Sequence, residues 1–260
     1  MRNFATIFGM TACIWGAAAH ATDVINQDNR TYKIKVQGEG KLNHNDTDFS
    51  QAKFGAAGGL AMLGSDNVYR LTLGYNTIAV QSERFRNAAT LTGEWIRQLD
   101  ELRSVNMFGQ YADFRYIGAN KVRGASFTAL GGGLRQAFIG SLQPVLQLQA
   151  NIGQEDNQHN RDDLSRDLYG GRVAVSITPT SQWGLSAGLS QQESRYSSAD
   201  TLLSTTRKDR YFGVDVGATY LYSKNISVRG ELVYAKNASN ISLFTYDRTT
   251  ALVKLRYEFK

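Results

Sequence analysis

Hydrophobic and polar residues alternate along the last twelve positions of the chain. In the segment TTALVKLRYEFK every second residue is apolar: Ala251, Val253, Leu255, Tyr257 and Phe259. After Leu252, the residues between them are charged: Lys254, Arg256 and Glu258. Because successive side chains of a strand point to opposite faces, this pattern predicts a strand with one apolar and one charged face.

The same alternation recurs between turn residues and predicts twelve strands. Each is about ten residues long, which matches the ~9–11 residues that a tilted strand needs to cross a bilayer. Strands of soluble proteins are shorter on average, at about five or six residues. The predicted strands span residues 31–42, 53–63, 68–77, 88–98, 104–116, 125–138, 143–153, 168–178, 182–192, 210–222, 226–236 and 249–259.

The pattern favours an all-β fold, an antiparallel transmembrane outer-membrane β-barrel of about twelve strands, with ten or fourteen as alternatives. A soluble β-sandwich also alternates, with its apolar face inward. Here the polar faces carry several full charges per strand, and the apolar faces carry aromatic residues suited to the membrane interfaces. These aromatic residues are Tyr32, Tyr69, Tyr75, Trp95, Tyr169, Trp183, Tyr220, Tyr222, Tyr257 and Phe259.

The connections between the predicted strands alternate in length. Short segments such as GSDN and SKN alternate with long polar ones such as QEDNQHNRDDLSRD. Outer-membrane barrels have short periplasmic turns and longer extracellular loops, so the rhythm supports a barrel with both termini in the periplasm. Closure of the sheet would satisfy every backbone group, which no half-polar strand can do alone in lipid.

The N-terminal residues have the layout of a secretory signal peptide. Arg2 precedes an apolar stretch that ends at Ala19-His20-Ala21. We therefore expect residues 1–21 to be a cleaved signal peptide, 22–30 a short periplasmic segment and 31–260 the barrel. The single cysteine, Cys13, would leave with the signal, which excludes disulfides and thiolate metal sites from the mature chain.

The composition gives no sign of an enzyme. Beyond the signal, the only histidines are His44 and His159, both in predicted loops without a nucleophile nearby in the sequence. We therefore predict no catalytic residues, no metal site and no cofactor. The formal net charge is +6, but an exported chain is not expected to bind nucleic acid.

The charged faces of the first and last two predicted strands meet if the barrel closes. They would form one inner wall that is biased towards cations. Mixed signs would allow salt bridges that stiffen this wall, or the wall could guide an anionic solute or a translocating chain. The candidate luminal residues are Lys33, Lys35, Glu39, Lys41, Arg229, Glu231, Lys254, Arg256 and Glu258.

The C-terminal third resembles the end of the surface lipoprotein assembly modifier family. The resemblance lies in a charged Lys-Asp-Arg start, a Ser-Asn-Ile element, an aromatic-Asp-Arg element and a final strand ending in Phe. The matching residues are Asp209, Ser239, Asn240, Ile241, Tyr246, Asp247, Arg248 and Phe259. Family members carry periplasmic tetratricopeptide repeats before the barrel, whereas here at most about ten residues separate Thr22 from the first predicted strand.

The resemblance implies a role in translocating or displaying lipoproteins or small secreted proteins across the outer membrane. Two alternatives are a small diffusion porin for solutes and a structural or adhesive surface barrel. The expected partners are outer-membrane lipid and lipopolysaccharide, the barrel-insertion machinery, and an exported lipoprotein or small secreted protein.

Overall fold

The computed structural model describes residues 30–41, 51–80 and 83–257, with the backbone alone for 30–41, 51, 52 and 257. Within these ranges the chain forms twelve strands and three short 3₁₀ helices. The strands are β1 (Arg30–Lys41), β2 (Gln51–Leu63), β3 (Asn67–Val80), β4 (Glu83–Gln98), β5 (Arg103–Tyr116), β6 (Ala125–Ala137), β7 (Val145–Asn157), β8 (Arg166–Thr180), β9 (Trp183–Ala199), β10 (Thr206–Leu221), β11 (Ile226–Ser239) and β12 (Tyr246–Tyr257).

Each strand pairs antiparallel with its neighbours in chain order, from β1 to β12 in one sheet. Every connection is therefore of the hairpin type, as in an up-and-down barrel. No ladder between β1 and β12 is present among the residues described above. The helices within the same ranges include none that is long and apolar enough to cross a membrane.

The two faces of the sheet are the reverse of those in a soluble protein. On β3, Tyr69, Leu71, Leu73 and Tyr75 are half or more exposed on the outer face. The intervening Arg70 lies on the inner face, where its guanidinium is 3.3 Å from a carboxylate oxygen of Glu94 on β4. Apolar residues outside and ion pairs inside are the arrangement of a strand between lipid and a polar interior, and this excludes the soluble sandwich.

Aromatic side chains mark the two edges of the apolar band. At the end with the shorter connections, Trp183 packs on Tyr220 with ring centroids 5.0 Å apart, and Trp95 donates a hydrogen bond of 2.9 Å to Asn67. At the other end, Phe212 is exposed on the same strand as Tyr220. Phe212 and Tyr220 are eight residues apart on β10. At ~3.4 Å per residue and a strand tilt of about 40°, they are separated by roughly 20 Å along the membrane normal, close to the ~25 Å apolar band of such barrels.

The strands extend further than the alternation predicts at the end with the longer connections. Residues 193–209 were predicted to form a loop, but β9 and β10 continue towards each other and leave only 200–205 between them. Only residues 81–82 separate β3 from β4. Both faces of these extensions are polar, as at Glu193 and Ser194. The paired backbone therefore stands above the lipid, where no apolar face is needed to maintain it.

Candidate functional site

The inner face of the sheet is rich in cations. By register and alternation, eleven cations and six carboxylates lie on this face among the residues whose side chains are described. The cations therefore exceed the carboxylates on the surface that would line the lumen. The cations are Lys53, Arg70, Arg86, Arg135, Arg166, Arg172, Arg207, Arg229, Arg248, Lys254 and Arg256, and the carboxylates are Glu83, Glu94, Glu155, Asp209, Asp215 and Glu231.

The most direct ion pair of the inner wall joins strands that are not neighbours. Arg172 of β8 donates two hydrogen bonds to the carboxylate of Asp215 on β10, at 2.5 and 2.8 Å. Gly188 of β9 lies between them, and a Cβ at this position would meet the Arg172 guanidinium and lie 2.9 Å from Asp215 Oδ1. The absence of a side chain at Gly188 thus allows a bidentate pair to lie flat across β9.

A second arginine crosses the wall in the same way. Arg229 of β11 passes over Gly217 of β10 and donates to Ser186 Oγ on β9 at 3.0 Å. Its Nε also donates to Glu231 at 3.2 Å, and Lys254 Nζ of β12 lies 3.1 Å from the same carboxylate. Three of the predicted luminal residues therefore form one connected group near the end with the shorter connections.

The other predicted luminal residues are located by their cross-strand partners, except for one that lies beyond the described strands. Arg256 lies opposite Ser227 in the β11–β12 ladder. On β1 only the backbone is described, and Lys33, Lys35, Glu39 and Lys41 lie opposite Gly59, Ala57, Lys53 and Gln51 of β2. Glu258 lies outside the described residues. The predicted contact between the first and last strands, and the role of the whole set, therefore stay predictions.

At the end of the strands with the longer connections, inward arginines lie between carboxylates and aromatic rings. Arg166 is buried and lies 2.7 Å from Glu155. Arg207 is also buried, 2.5 Å from Asp209, with its guanidinium over the rings of Tyr196 at 4.7 Å and Phe244 at 3.5 Å. Arg207 was expected in an outer loop, but β10 begins at Thr206 and turns it inward.

Next to these arginines, the interior is filled by apolar side chains. Phe127 and Leu168 are almost completely buried, and the rings of Phe114 and Phe127 are 6.2 Å apart. Gly153 of β7 lies between Ala129 of β6 and Leu168 of β8 in the register, and a Cβ at this position would lie only 3.3 Å from the Phe127 ring. Together with Ala88, Ala112 and Ala129 they form an apolar cluster on the inner face of β4, β5, β6 and β8.

Part of the inner face carries small side chains. Between Lys53 and Leu63, the inward positions of β2 are Gly55, Ala57, Gly59 and Ala61. Opposite Gly59, Thr72 of β3 points inward and is nevertheless exposed. Solvent therefore reaches the inner face beside β2 and β3.

The connection between β7 and β8 is held by its own ion pair. Arg161 donates to both carboxylate oxygens of Asp163, at 2.6 and 2.7 Å, and to Thr201 Oγ1 at 3.1 Å. These hydrogen bonds from Arg161 hold the pKa of the Asp163 carboxyl below its usual range. The carboxylate therefore stays ionised at neutral pH and ties this connection to the one that follows β9.

The residues of the C-terminal resemblance have structural contacts. Asn240 accepts a hydrogen bond from the Lys208 backbone N–H at 2.7 Å and donates to the Thr206 carbonyl at 2.9 Å, which joins the end of β11 to the start of β10. The Ser239 hydroxyl accepts from the Ile241 N–H, and Arg248 lies over Tyr246 at 5.6 Å. Asp209 pairs with Arg207, and Asp247 lies opposite Lys236. Phe259 lies outside the described residues.

The histidines offer no catalytic geometry in the described part of the chain. The His159 backbone N–H donates to Asn157 Oδ1 at 2.7 Å, and the side chain lies beside Gly124. His44 lies outside the described residues. No group of three acidic, histidine or cysteine side chains within metal-binding reach occurs among the side chains described.

Comparison with known proteins places this architecture among outer-membrane β-barrels. A family described as "Putative beta-barrel porin 2" matches residues 184–259, which is β9 to β12. An outer membrane channel from Pseudomonas putida F1 is 12% identical, with 90% of this chain and 98% of that chain covered and a TM-score of 0.58. The NanC porin is 8% identical, with 87% and 99% covered and a TM-score of 0.54. No curated protein sequence matches.

The chain is a β-barrel of the Gram-negative outer membrane with a porin-like fold. The family that matches its C-terminal region is a porin family. The specific resemblance to the surface lipoprotein assembly modifiers is not confirmed.

Proposed function

We propose that this protein is a diffusion channel for small hydrophilic solutes, with a preference for anions. The observation that carries the proposal is the excess of cations on the inner face of a sheet whose exposed large apolar residues form a band on the outer face. Charged side chains that line a narrow aqueous path repel ions of like sign and concentrate ions of opposite sign.

The unequal filling of the interior supports a path for solutes. The apolar cluster fills the inner face of β4, β5, β6 and β8 near the end with the longer connections, whereas glycines and alanines line β2 from residue 55 to 61. A solute would therefore pass beside β2 and meet the inner-face cations from that side. Arg135 of β6 has no ion pair among the described residues and faces this interior near the end with the shorter connections.

Planar-bilayer recording tests the proposal directly. The refolded protein should give steady stepwise conductance, and a KCl gradient should give a reversal potential of the sign expected for chloride permeation. Arg135→Glu should shift that potential towards cation permeation. Arg97→Glu is the matched control, because Arg97 lies near the same end of the barrel on the outer face of β4.

Two results would contradict the proposal. A folded, inserted protein that gives no conductance would show that it is not a channel. Equal shifts in the reversal potential from both substitutions would show that the selectivity does not come from the inner face. Folding is checked beforehand by circular dichroism and by heat-dependent migration on a gel.

Translocation or surface display of a lipoprotein is the second candidate function, favoured only by the C-terminal motif. The contacts of Asn240 and Arg248 account for that motif as a means of fixing the ends of strands. Deletion of the gene separates the two functions. Loss of one surface protein with unchanged solute uptake would favour translocation, whereas slower uptake of small anions with an unchanged surface would favour the channel.

A further inference from the structure

A cluster of like charges lies on the outer face of β9 and β10, away from the lumen. Lys208 lies directly opposite Arg195, and Arg210 lies directly opposite Glu193. Cations placed directly opposite each other in a ladder repel and destabilise the pair. The position therefore carries an unfavourable contact that a bound anion would relieve.

The carboxylates near this cluster do not balance it. Glu193 is shared, with one oxygen 3.2 Å from Arg195 and the other 3.4 Å from Arg210. Asp167 of β8 lies opposite Arg195. Lys208 is exposed, and its ammonium has no ion pair within the described part of the chain. The three cations thus face two carboxylates, and the side chains of Arg195 and Arg210 are about two-thirds exposed.

The height of the cluster matches the headgroups of a bilayer. Arg210 is two residues beyond Phe212, which marks the edge of the apolar band, and this is ~7 Å along a strand. The Arg195 guanidinium lies 5.5 Å from the ring of Tyr169, an exposed residue of the same belt. These cations are therefore placed where lipid phosphates lie, at the end with the longer connections, which faces outward in barrels of this class.

An apolar groove on the same outer face leads to the cluster. Gly132, Ala150 and Gly171 lie directly opposite one another on β6, β7 and β8 and form its floor. The groove measures about 620 Å³ and is bordered by larger apolar side chains. The row of cross-strand partners that forms the floor continues from Gly171 through Gln191 of β9 to Phe212 of β10. Phe212 is the next outward residue of β10 after Arg210. The bordering residues are Leu134, Leu148, Val173, Leu189 and Phe212.

We propose that β6–β10 form a binding site for one lipopolysaccharide molecule of the outer leaflet. A phosphate of the lipid would lie on Arg195, Lys208 and Arg210, and one of its acyl chains would lie in the groove. Guanidinium groups suit this role because they form charge-assisted hydrogen bonds to phosphate. A lipid phosphate also offsets the repulsion between Lys208 and Arg195.

Native mass spectrometry of the folded protein in detergent tests the site, with a rough-type lipopolysaccharide of defined acyl and phosphate content as the probe. Lys208→Glu combined with Arg210→Glu should weaken binding about tenfold or more, because it removes two charge-assisted contacts. Lys224→Glu is the matched control, since Lys224 is an exposed cation in the turn at the opposite end. Removal of the phosphates from the probe should weaken binding to the wild-type protein similarly.

The groove is tested separately by Gly171→Leu. A Cβ at Gly171 meets only the Gln149 carbonyl at 3.6 Å, so the strand should tolerate a side chain that fills the groove. We expect weaker binding of the probe with unchanged conductance, which keeps this test independent of the channel proposal.

Three results would overturn the site. They are unchanged binding in the charge and groove variants, an equal loss with Lys224→Glu, and binding that is indifferent to the phosphates. Equal affinity for phosphatidylglycerol would overturn the choice of lipopolysaccharide as the occupant.

Discussion

Leu73 and Thr72 are neighbours on β3, and they face opposite environments. Leu73 is 62% exposed on the outer face between the belt residues Tyr69 and Tyr75. Thr72 is exposed on the inner face. The same new side chain at the two positions therefore measures the difference between lipid and lumen.

Leu73→Arg should lower the free energy of unfolding by about 2–4 kcal/mol, the cost of a cation near the middle of the lipid face. Thr72→Arg should change stability little, because its guanidinium enters the solvated interior. Equilibrium unfolding in lipid vesicles, followed by tryptophan fluorescence, gives both values. Equal losses would mean that the faces are assigned wrongly.

At the scale of single residues, the sequence reveals a side chain's face but not its partner. Alternation alone places Arg229, Glu231 and Lys254 on one face, and the structure joins them. The alternation does not pair Arg172 with Asp215, because they are 43 positions apart in the sequence and two strands apart in the sheet. The available signal was an inward glycine, Gly188, on the strand between an inward arginine and an inward aspartate.

At the scale of elements, glycines on inner faces determine which strands are linked. Gly188→Val should displace Arg172 from Asp215 and lower the free energy of unfolding by about 1–3 kcal/mol, the usual cost of overpacking. Gly230→Val is the control, because a Cβ at Gly230 meets nothing within 4 Å and the position faces outward on β11.

Urea titration of both glycine variants in vesicles provides the measurement. A loss at Gly230 as large as that at Gly188 would point to backbone effects rather than to the ion pair. A loss at Gly188 that persists when Arg172 is replaced by Ala would do the same.

The twelve strands were predictable because lipid requires a strict apolar alternation through the membrane. Their outer ends were not, since above the bilayer both faces are wet and alternation disappears. At 193–199, for example, polar residues occupy both faces, and cross-strand hydrogen bonds to β10 and β8 maintain the strand. The turn-like composition of 193–199 therefore predicts a loop where the structure has a strand.

At the scale of the whole molecule, the excess of inner cations should produce a selectivity that depends on salt. The Debye length is about 10 Å at 0.1 M and ~3 Å at 1 M, so salt screens charges across the lumen. We expect the chloride-to-potassium permeability ratio to fall towards unity over this range. Reversal potentials at a fixed gradient ratio and rising mean concentration measure it, and a constant ratio would argue against a charge-based filter.

The extension of β9 and β10 past the aromatic belt also determines what surface the protein presents to macromolecules outside the cell. From Phe212 the β9–β10 ladder is regular to Lys208 and, after an irregularity, pairs again at Thr206, six residues or about 20 Å along the strand. Antibodies or phage tail proteins would therefore meet an ordered ribbon whose epitope combines residues from both strands. Short synthetic peptides from this region should be poor mimics of that epitope, and a vaccine design would need to present the folded hairpin.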